Sequence, residues 1–165
     1  MITVRSDRTR LFLVLGLLAT LQFAVRPRLG NPRIAPDFLM TALLLYCIRS
    51  RPGDAAVAGF MIGLAGDALT PASFGAGALA HTVVGYLAAW GRAVFFADNL
   101  LVNAGFFAAG LWLRNLILLL ASSTPADRLV VELGLWSPLE ALTTAAAGAV
   151  ILLLFRRWLD IRLEE

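Results

Sequence analysis

Apolar residues gather into six stretches along the chain, approximately Leu11–Val25, Ile34–Ile48, Ala55–Leu69, Ala76–Trp90, Asn99–Ala121 and Pro138–Phe155. Short breaks rich in Arg, Pro and Gly divide them. Arg26-Pro27-Arg28-Leu29-Gly30-Asn31-Pro32-Arg33 separates the first two, and Arg49-Ser50-Arg51-Pro52-Gly53-Asp54 the next pair. Thr70-Pro71-Ala72-Ser73-Phe74-Gly75 is a tight turn with no charge. Pro and Gly end helices, and arginine favours the headgroup level of a bilayer. The pattern predicts an all-α integral membrane protein, a six-transmembrane-helix bundle forming one domain over residues 1–165.

Composition supports the bilayer as solvent. The chain is 59% hydrophobic and 15% charged, with a mean hydropathy of +0.80, too little charge to cover a soluble domain of this size. The longest uncharged runs, Leu11–Val25, Asn99–Leu113 and Ala141–Phe155, each have 15 residues, short of the roughly 20 that a spanning helix needs. Full spans therefore include flanking polar residues or embedded ionisable ones. A tightly packed soluble helical protein is the alternative, disfavoured by the scarcity of polar residues. Residues Arg5, Arg8 and Arg10 before an apolar stretch look like the start of a signal peptide. No small-x-small cleavage site follows before Arg26, so an uncleaved first helix is expected.

Orientation follows from the arginines. With the N-terminus in the cytoplasm, Arg5, Arg8, Arg10, Arg49, Arg51, Arg92, Arg156, Arg157 and Arg162 lie inside, and Arg26, Arg28, Arg33 and Arg128 outside. That split places both termini in the cytoplasm. Trp90 and Trp158 then sit at the inner interface, Trp112 and Trp136 near the outer one. The stretch Asp127–Trp136 is expected as a short helix along the outer surface. The net charge of +3 comes from dispersed arginines, so no nucleic-acid face is predicted.

Five of the six stretches carry an ionisable residue: Asp37, Asp67, His81, Arg114 and Glu140. Asp67 lies about 18 Å along the third stretch and Arg114 about 22 Å along the fifth, while the other three come within about two turns of their outer ends. All five thus share the outer third of the bundle, and ionisable groups at such depth usually face protein or a water-filled cavity. Residues four apart share a helix face. Gly59, Gly63 and Asp67 form such a line, as do Gly77, His81 and Gly85; Gly110 precedes Arg114, and Glu140, Thr144 and Gly148 form another. Small residues let membrane helices approach closely, so these faces aim the ionisable groups inward.

Plainer readings compete. Asp37 and Glu140 suit first-turn acids at helix N-termini, His81 a packing residue, and Arg114 a side chain snorkelling to headgroups. Asp67 ends a small-residue face, and its expected partner is Arg114, since an unpaired charge there costs several kcal/mol. No catalytic set is present. The lone His81 has no nucleophile motif, Cys47 is the single cysteine, and nothing predicts a metal or other cofactor. Gly59–Gly66 lacks the Lys and Ser/Thr of a phosphate loop.

Several segments resemble the bacterial rod shape-determining MreD family. They are Arg33-Ile34-Ala35-Pro36-Asp37-Phe38-Leu39, Arg49-Ser50-Arg51-Pro52-Gly53, Gly59–Asp67, Phe74-Gly75-Ala76, Val84-Gly85-Tyr86-Leu87, Glu140-Ala141-Leu142 and Arg156-Arg157. Gly66 stands where the family often has a bulkier residue. The resemblance implies a non-enzymatic inner-membrane scaffold of the cell-elongation machinery. It implies binding to MreC, which has one membrane helix and a periplasmic domain. Through MreC come links to MreB filaments and to the RodA glycosyltransferase with its class B penicillin-binding partner. It also implies a fold similar to the substrate-binding S components of energy-coupling-factor transporters.

Small-residue surfaces at Gly59/Gly63 and Ala76/Ala80 suit a docking partner helix, and self-association into a homo-oligomer is left open. The alternative function is a solute-binding transporter subunit, with Asp67, His81, Arg114 and Glu140 as ligand contacts. A third is a proton relay through Asp67, His81 and Glu140.

Overall fold

A computed structural model of the chain describes residues 3–48, 50–68, 74–95 and 100–155, with the side chains of 3–8 and 92–95 outside that description. The expectations for Arg5, Arg8, Arg49, Arg92, Arg156, Arg157, Trp158, Arg162 and the turn at 69–73 fall outside it. Every regular element among the described residues is helical: α1 (Thr3–Ala24), α2 (Phe38–Cys47), α3 (Pro52–Asp67), α4 (Ala76–Phe95), α5 (Leu100–Ala121), α6 (Ala126–Val131) and α7 (Ser137–Phe155). A 3₁₀ turn, Arg26–Arg28, follows α1, and a π turn, Glu132–Trp136, joins α6 to α7.

Three helices are long and apolar enough to cross a membrane by length and composition, over Thr9–Arg28, Leu100–Ala121 and Ala126–Phe155. Helix α2 starts later than the apolar stretch that contains it. Ala35 precedes a proline and is pushed out of the helical region, and Asp37 then caps the helix by accepting from Met40 N–H at 2.9 Å. The resulting 10 residues are only about 15 Å long. The helix is also central. It touches α1, α3, α4, α5 and α7, and it is apolar all round, as a helix enclosed by others must be. Met40, Leu43, Leu44 and Leu45 are fully buried with Val14, Leu18, Phe107, Leu111 and Leu152.

Helices α3 and α4 form the closest pair, packed antiparallel through glycine. A Cβ on Gly59 would overlap the His81 carbonyl, one on Gly63 the Gly77 carbonyl, and one on Gly85 would lie 2.6 Å from the Ala55 carbonyl oxygen. Ala76 and Ala80 are buried as well. The Gly59/Gly63 and Ala76/Ala80 surfaces expected to receive a partner therefore lie inside the bundle. Elsewhere Gly148 accommodates the Phe107 ring and Gly110 the Leu44 methyls.

The stretch Asp127–Trp136, expected along the surface, instead continues into α7 as one helical run over Ala126–Phe155. Pro138 has no N–H and its ring crowds the carbonyl four residues back. The chain widens by one residue just before it, so Ser137 N–H donates to Glu132 O. This frees the Leu133 carbonyl, which accepts from Trp112 Nε1–H at 3.3 Å. Around the bundle Phe12, Leu13, Val57, Met61, Leu101, Leu142 and Leu154 point outward. Such a lateral surface, with the backbone satisfied within helices, fits a transmembrane protein.

Candidate functional site

Asp67 is the last residue of α3 and is 3% exposed. Its carboxylate accepts from the backbone N–H groups of Gly75 at 2.9 Å, Gly77 at 3.0 Å and Ala78 at 2.8 Å. The first N–H groups of a helix have no partner within it. Gly75 holds the position before α4, with its carbonyl accepting from Leu79 N–H, and has φ +95°. That backbone conformation suits glycine, but glycine has no side chain to cap with. Asp67 supplies the cap from the neighbouring helix. This corrects the expected Asp67–Arg114 pair.

Arg114 reaches elsewhere. Its Nη1 donates to the Asn115 side-chain oxygen at 2.7 Å, and Nη2 lies 3.8 Å from Asp37 Oδ2. It is turned into the bundle, with 19% of its side chain exposed, rather than snorkelling. Asp37 is buried and tied on several sides. Its N–H donates to Thr144 Oγ1 at 3.0 Å, joining α2 to α7, and its carbonyl accepts from Thr41 Oγ1 at 2.9 Å. The next residue, Phe38, donates its N–H to Gln22 Oε1 of α1 at 2.9 Å. The first-turn reading of Asp37 thus describes its capping, and the pairing with Arg114 is additional.

Glu140 is not at a free helix N-terminus, because α7 continues from the turns before it. Its Oε1 accepts from Arg26 Nη2 at 2.7 Å and its Oε2 from Asn115 Nδ2 at 2.9 Å. The same Asn115 amide lies 3.2 Å from Ser137 Oγ. His81 is 4% exposed, with Nδ1 2.8 Å from the Gly77 carbonyl. Its Nε2 is buried without a hydrogen-bond partner among the described residues.

Two cavities organise this layer. The first, about 260 Å³, is lined by Gln22, Arg26, Asp37, Asp67, His81 and Arg114 among others. The second, about 220 Å³, is lined by Arg26, Arg33, Arg114, Asn115, Glu132 and Glu140 among others. Arg26 and Arg114 line both. Four of the five ionisable residues singled out in the sequence meet at one cavity, and Glu140 faces the other. Sequence reasoning missed Arg26, Gln22 and Asn115. Gln22 and Asn115 are amides in otherwise apolar runs, a visible signal. Arg26 sits four residues after Gln22, on one helical face, but its place in a loop suggested headgroup contact.

Chemically, carboxylates engaged with guanidinium and N–H groups hold helices together. Among the described residues no group of three or more His, Cys, Asp or Glu is placed to hold a metal ion. No curated protein and no solved structure matches the chain. Asp37, Asp67 and Glu140 nonetheless stand within segments that resemble one family, and that family's model, described as rod shape-determining protein MreD, matches residues 7–157. The chain belongs to the MreD family.

Proposed function

We propose that this protein is a non-enzymatic scaffold of the bacterial inner membrane that binds an MreC-like bitopic protein and helps organise peptidoglycan synthesis during elongation. Family membership carries a role in rod shape determination; the partner and the membrane are our reading. The observation that carries it is the extent of the family match, residues 7–157. The site supports it through what its polar groups do. Asp37, Asp67, Arg114 and Glu140 bind backbone and side chains of other helices, which suits a rigid support. The bundle is read as six crossings of S-component-like arrangement with both termini cytoplasmic, and MreB, RodA and a class B penicillin-binding protein are reached through the partner.

Co-expression with the MreC of the same genome tests the partner: a stable complex surviving detergent extraction and size exclusion is expected, and its absence refutes the reading. Topology is tested separately. In a Cys47→Ala background, Ser123→Cys between α5 and α6 should react with membrane-impermeant maleimide from the periplasm. Protection there, with labelling only after the inner membrane is opened, would reverse the orientation.

A further inference from the structure

We propose that the cavity bounded by Asp37, Asp67, His81 and Arg114 binds a small zwitterionic solute of the α-amino-acid class. The first ground is an atom without a partner. The Gly77 carbonyl can only accept a hydrogen bond, so the His81 Nδ1 that contacts it at 2.8 Å carries the hydrogen. In the neutral ring Nε2 is then a bare acceptor, and it is buried with nothing donating to it among the described residues. Buried polar atoms are nearly always satisfied, and leaving one unmet costs free energy.

The second ground is the complement of other unmet groups. Arg114 Nε and Arg26 Nε are buried donors without a partner. Asp37 Oδ2 stands 3.8 Å from Arg114 Nη2, beyond hydrogen-bond length, so it has capacity for a further donor. Asp67 differs, since its carboxylate already takes three backbone N–H groups. His81, Asp37 and the two arginines all line the cavity. Asp37 Oδ2 faces it as an acceptor, while the unmet His81 Nε2 and arginine Nε atoms lie buried in its wall and meet a ligand only if those side chains turn toward it.

Charge and size narrow the class. Two Arg and two Asp line the space, with Glu140 holding Arg26 from the second cavity. A ligand with one charge of each sign can meet both, whereas a simple anion or cation leaves the opposite wall unmatched. At about 260 Å³ the space is near the lower limit for ligand pockets. A solute of amino-acid size fits. Its ammonium would donate to Asp37 Oδ2 and, with the His81 ring turned toward the cavity, to Nε2, and its carboxylate would accept from the arginines. Binding is proposed here and transport is not. The scaffold reading does not depend on this site, so its failure leaves that reading untouched.

The chain contains a single histidine, which gives a clean reporter. The full-length protein, labelled with ring-¹⁵N histidine and placed in lipid nanodiscs, would be titrated with glycine, acetate, methylammonium and glycine betaine. The expected result is a bare Nε2 before addition and a saturable Nε2 shift with glycine. Half-saturation should come at least about tenfold lower for glycine than for acetate or methylammonium. Glycine betaine, which has no N–H donor, should give no shift. Arg114→Gln should weaken the glycine response by about tenfold; if that variant does not fold, the wild-type series still decides. A cavity that holds only water would show no saturable glycine shift, which overturns the proposal. Equal responses to glycine and glycine betaine, or an Nε2 already protonated without ligand, overturn it as well.

Discussion

Replacing Asp67 with alanine removes the acceptor that closes the start of α4. Three N–H groups lose their partner, of which Gly77 and Ala78 are buried and Gly75 partly so. Hydrogen bonds to a charged acceptor contribute about 1.5–3 kcal/mol each, and loss of an ordinary N-cap costs about 0.5–2 kcal/mol. The three are not additive, because the cavity beside Asp67 lets water reach the freed groups. A loss of about 2–4 kcal/mol is therefore expected for Asp67→Ala. Asp67→Asn keeps one oxygen but turns an NH₂ toward backbone donors, and should lose about 1–2 kcal/mol. Unfolding midpoints in mixed detergent micelles measure the stability, and hydrogen exchange at Gly77 and Ala78 locates it. A double-mutant cycle adds the pairing: coupling of Asp67 with Arg114 should stay below about 0.5 kcal/mol, while Asp37 with Arg114 should exceed it. Asp67→Ala with unchanged stability and equally slow Gly77 and Ala78 amides would refute the capping argument.

Glycine substitutions should divide by position. Gly59→Ala places a methyl on the His81 carbonyl and should destabilise by about 1–3 kcal/mol or block assembly, whereas Gly105→Ala meets open space and should be neutral or stabilising by up to about 1 kcal/mol; comparison of their unfolding midpoints checks both. Glu140→Gln removes the ionic partner of Arg26 in a site where the two side chains are 11% and 25% exposed. Partial exposure lowers the penalty to about 1–3 kcal/mol, below that of a fully buried pair. The loss should shrink in an Arg26→Gln background, and a full, undiminished loss there would show the pair to be unimportant. Pro138→Ala should let the helix return to regular winding, so that Ser137 N–H bonds Leu133 O and Trp112 Nε1–H loses its acceptor. Faster indole N–H exchange at Trp112 reports it, and an unchanged rate would mean that the proline does not cause the π turn.

The helices and their glycine register were legible because both follow from local rules. Gly59 and Gly63 share a face with Asp67, Gly77 and Gly85 with His81, and these two faces are the ones that meet. Periodicity fixes a side chain's face and depth but not its partner. Asp67 and Arg114 have similar depths, and charge alone suggested a pair. The deciding term was the unmet N–H groups at the start of α4, where Gly75 cannot cap. An acid eight residues before a glycine at a helix start is a weak signal until the hairpin brings them together. The short α2 was hidden for another reason. Its apolar run continues through Ala35-Pro36 without a change of hydropathy, and only the backbone restriction before proline and the Asp37 cap end the helix there.

The region before Pro138 shows what holds two arginines of the 26–33 connection. A proline opening an apolar run looks like the first residue of a helix, which left Asp127–Trp136 as a separate surface segment. Widening by one residue removes the clash between the proline ring and the preceding turn, and the helix then runs for 30 residues, about 45 Å. That exceeds a hydrocarbon core of about 30 Å, and its leading turns lie beside Arg26 and Arg33. There Glu132 approaches Arg33 at 3.4 Å, the Arg33 guanidinium sits 5.0 Å from the Trp136 ring centroid, and Glu140 holds Arg26 one helical stretch further in. Arg26 is thus bound to α7 and Arg33 to the π turn before it. It follows that neutralising Glu132 and Glu140 together should loosen the 26–33 connection, seen as increased protease or exchange sensitivity there, while leaving the α3–α4 glycine contact unaffected.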